Sequence, residues 1–156
     1  MGKRKKYVPK EFESCSGKSE PFSSLYRSMI ESPAFQALSA SQKTLYLYCK
    51  LQYYGEKRPE GQEYFTMSRK KWCNKYHLYS EGNAAAFHRD IDALIEKGFI
   101  DCTYKGAQHK QKNVYKLSAR WWHYGTDKFY LHPDIMTSRM LRQYRAQQSS
   151  EHPLQE

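Results

Sequence analysis

Arg89 and Asn83 are the side chains of this sequence best suited to a specific chemical task, the recognition of base edges in DNA. An arginine can donate two hydrogen bonds to guanine and an asparagine can exchange two with adenine, and each contact discriminates between bases by about 1–3 kcal/mol. Beside them lie Gly82, Ala85 and Ala86, whose small side chains let a helix approach a DNA groove closely. Together these five residues predict a recognition surface.

The overall charge of the chain favours this interpretation. The 156 residues carry a formal net charge of +10, which favours an anionic partner such as nucleic acid. The alternative is a solvated helix face on which Arg89 pairs with Asp90 or Asp92.

Several cationic and hydroxyl side chains are suited to binding phosphates along the DNA backbone. Ahead of the recognition residues we expect phosphate contacts from Ser68, Lys70, Lys71 and Ser80. After them we expect contacts from a basic hairpin that carries Lys105, His109, Lys110 and Lys112. At the N-terminus a basic arm is predicted from Lys3, Arg4, Lys5 and Lys6. The alternative for the arm and the hairpin is a set of solubilising surface charges.

Enzyme chemistry is not expected. The sequence has no Walker loop, no GxGxxG and no HExxH motif, and its acidic residues form no pair suited to metal-dependent cleavage. The four cysteines form no CxxC pair, and Cys73 with His77 has no second pair of ligand spacing. We therefore predict no cofactor, no metal and a reduced, cytoplasmic protein.

The stretch from Phe65 to Ile100 must position the recognition residues. It predicts a helix capped by Ser68, a short connection, and a second helix capped by Ser80 that ends at Gly98. Residues of the second helix with helical spacing define its buried face: Ala84, Phe87, Ile91, Leu94 and Ile95. The outer face is predicted to hold Gly82, Ala85, Arg89, Asp92, Ala93 and Glu96. The two acids are expected at the far end, outside the groove.

A β-hairpin is predicted directly after the second helix. Strands over 99–105 and 114–118 flank a polar turn, and a short strand over 64–67 is expected to pair with the hairpin. This order predicts a winged helix-turn-helix, in which the hairpin is the wing. The fold class is mainly α with a small β-hairpin (α+β), with an added C-terminal helix.

The flanking segments complete four predicted regions. They are a basic flexible tail (1–20), the winged helix-turn-helix domain (21–125), a C-terminal extension with a helix (126–148) and a disordered tail (149–156). Within the domain, Phe22 to Ile30 suits a short amphipathic helix or turn, and Ser32-Pro33 and the Ser39–Gln42 capping box each open a helix. The helix over 40–54 is apolar nearly all round, which predicts neighbours on several sides or a partner subunit on one.

The C-terminal part of the chain offers two further features. Trp121 and Trp122 are adjacent, so one is expected to pack on the domain while the other faces elsewhere. The last helix is predicted from Pro133 to about Gln147, with Arg139, Arg142 and Arg145 on its basic side. It can dock on the domain, pair with a second copy or follow the DNA backbone.

The order of segments resembles a known family. The residues that carry the likeness are FSSLYRSMIESPAFQALSASQKTLYLYCKLQYYG, FTMSRKKWCNKYHL, AAAFHRDIDALIEKGFI and VYKL, over roughly residues 22–118. They resemble the N-terminal DNA-binding domain of plasmid replication initiators in Gram-positive mobile elements, or a related winged-helix regulator. The resemblance implies binding to repeated DNA sites, often as a dimer.

Two functions are therefore carried forward. The first is a sequence-specific double-stranded DNA-binding protein of a mobile genetic element, acting in replication initiation or transcription regulation. The second is a protein–protein interaction module of a replication or transfer complex with only non-specific nucleic-acid affinity. Double-stranded DNA is the expected partner, a homodimer is left open, and no membrane partner is expected because no apolar run approaches the ~20 residues of a membrane helix.

Overall fold

The protein has an α+β fold in which helices surround a small antiparallel sheet. The computed structural model describes residues 9–10, 12–14, 22–52 and 64–151, apart from the side chains of residues 108 and 151. The predicted basic arm (Lys3, Arg4, Lys5 and Lys6) lies outside the described residues, as do residues 53–63. No helix within the described ranges is long and apolar enough to cross a membrane.

The elements follow one another in the order expected from the hydrophobic pattern. The α-helices are α1 (Arg27–Ile30), α2 (Pro33–Gln36), α3 (Ala40–Lys50), α4 (Ala84–Glu96) and α5 (Ser138–Glu151). The strands are β1 (Tyr64–Phe65), β2 (Ile100–Tyr104) and β3 (Val114–Leu117). A π-helix spans Lys70–Lys75, and 3₁₀ turns span Glu81–Asn83, Gly106–His109, Arg120–His123 and Pro133–Ile135.

The predicted helix starts near residue 40 are confirmed in detail. Ser32 Oγ accepts a hydrogen bond from the Phe35 amide at 3.2 Å, and Pro33 is the first residue of α2. At α3, Ser39 and Gln42 form the expected capping box, with reciprocal hydrogen bonds of 3.3 and 2.9 Å. These caps satisfy amides that have no partner inside the helix, which fixes where each helix begins.

Among the described residues, helix α3 is buried on one face only. Of the two predicted alternatives, neighbours on several sides is therefore wrong, and a partner subunit on one side stays a prediction. Leu45, Tyr46 and Cys49 are buried, whereas Leu47 and Leu51 are more than a third exposed. The helix ends at Lys50, so it is shorter than the predicted span of 40–54, whose last two residues lie outside the described residues.

The predicted short amphipathic helix or turn before α2 forms over fewer residues than the pattern indicates. Within residues 22–30 a helix forms only over α1, and Met29 is its buried residue, in contact with the Tyr46 hydroxyl at 3.5 Å. The other apolar residues of this pattern are exposed: Phe22, Leu25, Tyr26 and Ile30. Their spacing is helical, but the chain is extended before residue 27.

Neither predicted serine cap of the central helix pair forms a side-chain hydrogen bond. The first helix is a π-helix, and the Ser68 carbonyl, not its hydroxyl, accepts from the amides of Lys71 and Trp72. The second helix begins as a 3₁₀ turn after Ser80, whose side chain makes no cap bond. Trp72 instead joins the two helices, because its ring stacks on Phe87 with centroids 4.7 Å apart.

The buried face of α4 is largely as predicted. Phe87, Ile91, Leu94 and Ile95 are almost fully buried, and Ala84 packs against the core at partial exposure. The outer face differs, because Asp92 and Ala93, which were expected to be exposed, are buried as well.

The start of α5 accounts for the burial of Asp92. The Asp92 carboxylate accepts hydrogen bonds from Thr137 Oγ1 at 3.0 Å and Arg139 Nε at 2.7 Å. Met136 and Met140 insert into the core on either side of this ion pair. The helix runs to Glu151, past the predicted end near residue 147 and into the predicted tail. Of the roles left open for this helix, docking on the domain is therefore observed.

The sheet has the strand order β1-β3-β2, with all neighbours antiparallel. The short strand predicted over 64–67 is present, and Phe65 pairs with Tyr115 of β3. Between α4 and β2 the chain turns at Gly98, which has a φ of +82°. A β-carbon there would lie 2.5 Å from the Trp121 amide nitrogen, so both the backbone angle and the close packing require glycine.

Arg120 is a buried structural residue, although the sequence places it in the basic series that begins at Lys105. Its Nε donates to Asp101 at 2.8 Å, and its Nη atoms donate to the carbonyls of Tyr130, Ile95 and Ile100. One guanidinium thereby ties the end of α4 and strand β2 to the segment that leads to α5. A buried arginine is stable only when paired in this way.

The two adjacent tryptophans face different surroundings, as predicted. Trp121 stacks on the buried ring of Phe99, whereas Trp122 is exposed. They lie on a 3₁₀ turn and not on a strand.

Candidate nucleic-acid interface

A groove of about 380 Å³ separates the first half of α4 from the turn of the β2–β3 hairpin. We call it the α4 groove. Its floor is apolar and its rim is polar and cationic. The lining residues are Met67, Ser68, Arg69, Trp72, Ala84, Phe87, His88, Ala107, Gln111, Lys112, Asn113 and Tyr115. Three sequence segments, 67–72, 84–88 and 107–115, thus meet at one concave surface.

The predicted recognition residues surround the start of α4. Gly82 and Asn83 are exposed in the 3₁₀ turn that precedes the helix, Ala85 is exposed, and Ala86 is partly buried. A β-carbon on Gly82 would meet no heavy atom within 4 Å. Since neither packing nor a positive φ requires glycine there, the structure itself leaves Gly82 free for a close external contact.

The Arg89 guanidinium makes one long contact with Asp90, and most of the side chain is exposed. Its Nε lies 3.6 Å from Asp90 Oδ1, while the side chain is 70% exposed. The Asp90 carboxylate is buried and accepts from Tyr79 Oη at 2.7 Å and Gln42 Nε2 at 3.5 Å. The pairing of Arg89 with Asp90, the predicted alternative to a base contact, is thus observed. Its distance is long, and it leaves the Arg89 side chain mostly exposed.

The predicted phosphate-binding residues near the first helix divide between two surfaces. Ser68 lines the α4 groove, and Lys70 and Ser80 are exposed. Lys71 does not belong with them, because its Nζ donates to Gln52 Oε1 at 2.9 Å and to the Thr66 carbonyl at 2.8 Å. It lines a separate groove behind β1 and not the α4 groove, and its contact with phosphate stays a prediction.

Arg69 is a groove residue that the sequence interpretation missed. Its guanidinium forms an ion pair with Glu81, which joins the first helix to the turn before α4. The basic run Arg69-Lys70-Lys71 signalled a cationic helix start. The π-helical backbone decides which of the three faces the groove, and residue spacing does not reveal that geometry.

The predicted cationic residues of the hairpin turn have different positions and partners. Lys112 lines the α4 groove, and His109 and Lys110 are exposed at the tip, where Lys110 has a φ of +53°. Lys105 instead directs its Nζ to the Asp134 carbonyl at 2.8 Å. The Asn113 side chain closes the turn by accepting from the Gly106 amide at 3.0 Å, which holds the lysines beside α4.

His88 lies on the wall of the α4 groove, one turn after Ala84. Burial lowers the pKa of its imidazole, and the nearby positive charge of Arg139 lowers that pKa further, against the opposing effect of Asp92. A pKa below the ordinary 6.5 leaves His88 neutral near pH 7, with one donor and one acceptor nitrogen.

The acidic side chains near the interface each have specific hydrogen-bond or ion-pair partners. Asp90 is bonded to Tyr79 and Gln42, and Glu81 is paired with Arg69. Asp92 is covered by Thr137 and Arg139. Glu81 is exposed but paired, and the exposed Glu96 lies at the end of α4 farthest from the groove. The arrangement favours a polyanion approaching the first half of α4.

Two further observations concern metal-ligating and thiol groups in the described part of the chain. No group of three or more His, Cys, Asp or Glu side chains there could hold a metal ion. Burial raises the pKa of the Cys102 thiol to about 11, so it is not a thiolate near neutral pH.

No family model, no curated protein and no solved structure matches this chain. Its function is therefore inferred from the arrangement of its own residues.

Proposed function

We propose that the chain is a winged helix-turn-helix protein that binds double-stranded DNA sequence-specifically. In this proposal α4 is the recognition helix and the β2–β3 hairpin is the wing. The observation that carries it is the first half of α4, which borders the hairpin turn and Lys112 across one groove through Ala84, Phe87 and His88. The five predicted recognition residues lie beside that groove and do not line it, and four of them, Gly82, Asn83, Ala85 and Arg89, are exposed.

The order and pairing of the elements support the winged-helix assignment. A helix (α3), a strand (β1), two further helices (Lys70–Lys75 and α4) and a hairpin follow in sequence. The first strand pairs with the second strand of the hairpin, which gives the order β1-β3-β2. In winged helices this connection holds the wing beside the recognition helix.

In the proposed complex, the first half of α4 enters the major groove. Gly82 and Ala85 allow the backbone to approach, and Arg89 and Asn83 bond to base edges. Lys110 and Lys112 contact phosphates from the hairpin, and Lys70 and Ser68 from the preceding helix. The phosphate contacts set register and orientation, whereas Arg89 and Asn83 set sequence preference.

The biological role follows from the resemblance to plasmid replication initiators. That resemblance supports action at repeated DNA sites of a mobile element, in replication initiation or in transcription regulation. A cytoplasmic location is part of the same proposal.

The proposal is tested by selecting binding sites from random duplexes and then comparing two variants. Arg89→Ala should cost about 1–3 kcal/mol on the selected site and little on random DNA, because it removes a base contact. Lys112→Ala should weaken binding to all sequences and lower the dependence of log K on log[salt] by about one unit. Arg27→Ala is the control, since Arg27 is exposed and pairs with Glu31, away from the groove.

Two results would contradict the proposal. No enriched sequence at moderate salt would exclude sequence-specific binding. Equal losses for both variants on selected and random DNA would exclude the division between base and phosphate contacts.

A second candidate function, a protein-interaction module, is favoured by exposed apolar side chains away from the groove. Leu47 and Leu51 lie one turn apart on the outer face of α3, and Trp122 is 65% exposed. Failure of the site selection, together with a mass in solution above 18.6 kDa that Leu47→Glu reduces to the monomer value, would support this second function.

A further inference from the structure

A second groove, which we call the α5 groove, lies on the other side of the hairpin turn. It has a volume of about 400 Å³ and separates that turn from α5. Its lining residues are Lys105, Ala107, Ser138, Leu141, Arg142 and Arg145. Three of the six are cationic and none is acidic, although they come from two segments more than thirty residues apart in the sequence.

The arginines of the α5 groove differ from the others in their partners. Seven arginines fall within the described residues, and five of them form ion pairs with carboxylates: Arg27, Arg69, Arg89, Arg120 and Arg139. The other two are Arg142 and Arg145, whose guanidinium groups have no carboxylate partner among those residues. Both lie in the α5 groove, three residues apart on one helix face. Two adjacent guanidinium groups without carboxylates form a site for an external anion.

Contacts of the start of α5 and of Lys105 anchor both walls of the α5 groove. Met140 is buried in the core, and Asp92 receives hydrogen bonds from both Thr137 and Arg139. Lys105 Nζ bonds to the Asp134 carbonyl, which links the hairpin turn to the chain just before α5. Because the first turn of α5 is anchored in this way, the helix that carries the exposed Arg142 and Arg145 lies beside the hairpin turn.

We propose that the α5 groove binds the sugar–phosphate backbone of the duplex that α4 reads. Arg142 and Arg145 contact successive phosphates outside the base pairs that α4 reaches. This assignment rests on the proposed DNA-binding function. In it the α5 groove makes a second contact with the DNA backbone, so the protein covers a longer stretch of duplex.

The position of the groove favours this occupant. Ala107 of the hairpin turn lines both grooves, so the α4 groove and the α5 groove are adjacent across one turn. From Ser138 to Ser150 helix α5 contains three arginines and no acidic residue. A polyanion bound at α4 therefore meets continuous positive charge on passing the hairpin.

The test compares Arg142→Ala/Arg145→Ala with a control of equal charge change, Arg27→Ala/Lys128→Ala. Arg27 and Lys128 are exposed and line neither groove. On a long duplex with the selected site at its centre, the α5 variant should lower the salt slope by about two units. Raising salt from roughly 50 to 200 mM should then weaken the unmodified protein about tenfold more than the α5 variant. Base preference should not change, since no base contact is removed.

Trimming the duplex to the enriched base pairs sharpens the test. The unmodified protein should then bind like the α5 variant, because the phosphates that the α5 groove contacts are gone. Arg89→Ala should keep its full effect on the trimmed duplex.

Four other outcomes would each contradict a different part of the two proposals. If the unmodified protein binds no duplex, the proposed function fails. If it binds and the α5 variant equals its control, only the α5 assignment fails. Tighter binding by the α5 variant would mean that the helix obstructs DNA. Loss of binding to phosphatidylserine vesicles, with unchanged DNA binding, would assign the groove to lipid head groups.

Discussion

The two halves of α4 share one helical repeat but differ in their surroundings. From Ala84 to Arg89 one face is buried against Trp72, and the opposite face is exposed. From Asp90 to Ile95 every residue is buried, including two aspartates. The first half is thus a surface for an external partner, and the second half is part of the core.

The difference originates in chain segments distant from α4. The second half is covered by Thr137 and Arg139, which lie more than forty residues later, and the Arg120 guanidinium bonds to the Ile95 carbonyl. The first half has no such cover among the described residues. The buried half thus anchors the helix, and the exposed half is available to a ligand without rearrangement. Such preorganisation lowers the entropic cost of binding.

The largest expected contrast between the two halves is in stability. Leu94 is fully buried, so Leu94→Ala should lower the free energy of unfolding by about 3–5 kcal/mol through lost burial and the resulting cavity. Arg89→Ala should change it by less than about 0.5 kcal/mol, because the side chain is exposed. Urea denaturation monitored by tryptophan fluorescence measures both. Similar losses for the two variants would show that the first half is also part of the core.

The glycines that flank α4 give the next contrast. Gly98→Ala should cost about 2–4 kcal/mol, because its φ is +82° and a β-carbon would collide with the backbone of Trp121. Gly82→Ala should be neutral or slightly stabilising, since open space surrounds that position.

The Gly82→Ala variant also distinguishes an effect on stability from an effect on DNA binding. Unchanged stability combined with weaker binding to the selected duplex would show that DNA, and not the fold, needs glycine at this position. Unchanged binding would place Gly82 outside the contact surface.

The features of the fold that the sequence predicts correctly are those determined by neighbouring residues. The Ser39–Gln42 capping box and the end of α4 at Gly98 depend on contacts within a few residues. The pairing of Phe65 with the hairpin is a distant contact, which was expected from the order of the elements. The buried face of α4 follows from its 3.6-residue period.

The sequence does not reveal contacts between distant charges. Asp92 looks like an exposed helix residue until Arg139 is placed beside it, and Arg120 looks like a wing cation until its four hydrogen-bond acceptors are known. The candidate interface shows the same limit. Arg69, which was not predicted, lines the α4 groove, whereas the predicted Lys71 lines a separate groove, because a π-helix places side chains at angles that α-helical spacing does not give.

The ion pair between Asp92 and Arg139 tests how α5 is anchored to the buried half. Arg139→Ala leaves the Asp92 carboxylate with Thr137 as its remaining hydrogen-bond donor. Since the Arg139 side chain is about one third exposed, we expect a loss of about 2–3 kcal/mol, below that of a fully buried pair. Removing both side chains should cost less than the sum of the single changes, as a double-mutant cycle would show. Additive losses would mean that the two groups stabilise the fold independently.

The smallest expected effect concerns His88, at the boundary between the two halves. Its pKa is lowered by burial and by the positive charge of Arg139. Because the folded pKa lies below the unfolded value of 6.5, the unfolded state takes up the proton more readily as pH falls. The contribution of neutral His88 is therefore fully present above pH 6.5 and is lost as pH falls from there through the folded pKa.

The measurement compares the urea midpoint at a pH above 6.5 with that at a pH below it. Unmodified protein should lose slightly more stability on acidification than His88→Gln, which cannot titrate. In an Arg139→Ala background the difference should shrink, because one of the two causes of the lowered pKa is gone while the Asp92 charge remains. If the difference between unmodified protein and His88→Gln is unchanged in this background, burial alone lowers the pKa of His88. The charge of Arg139 would then have no effect on His88.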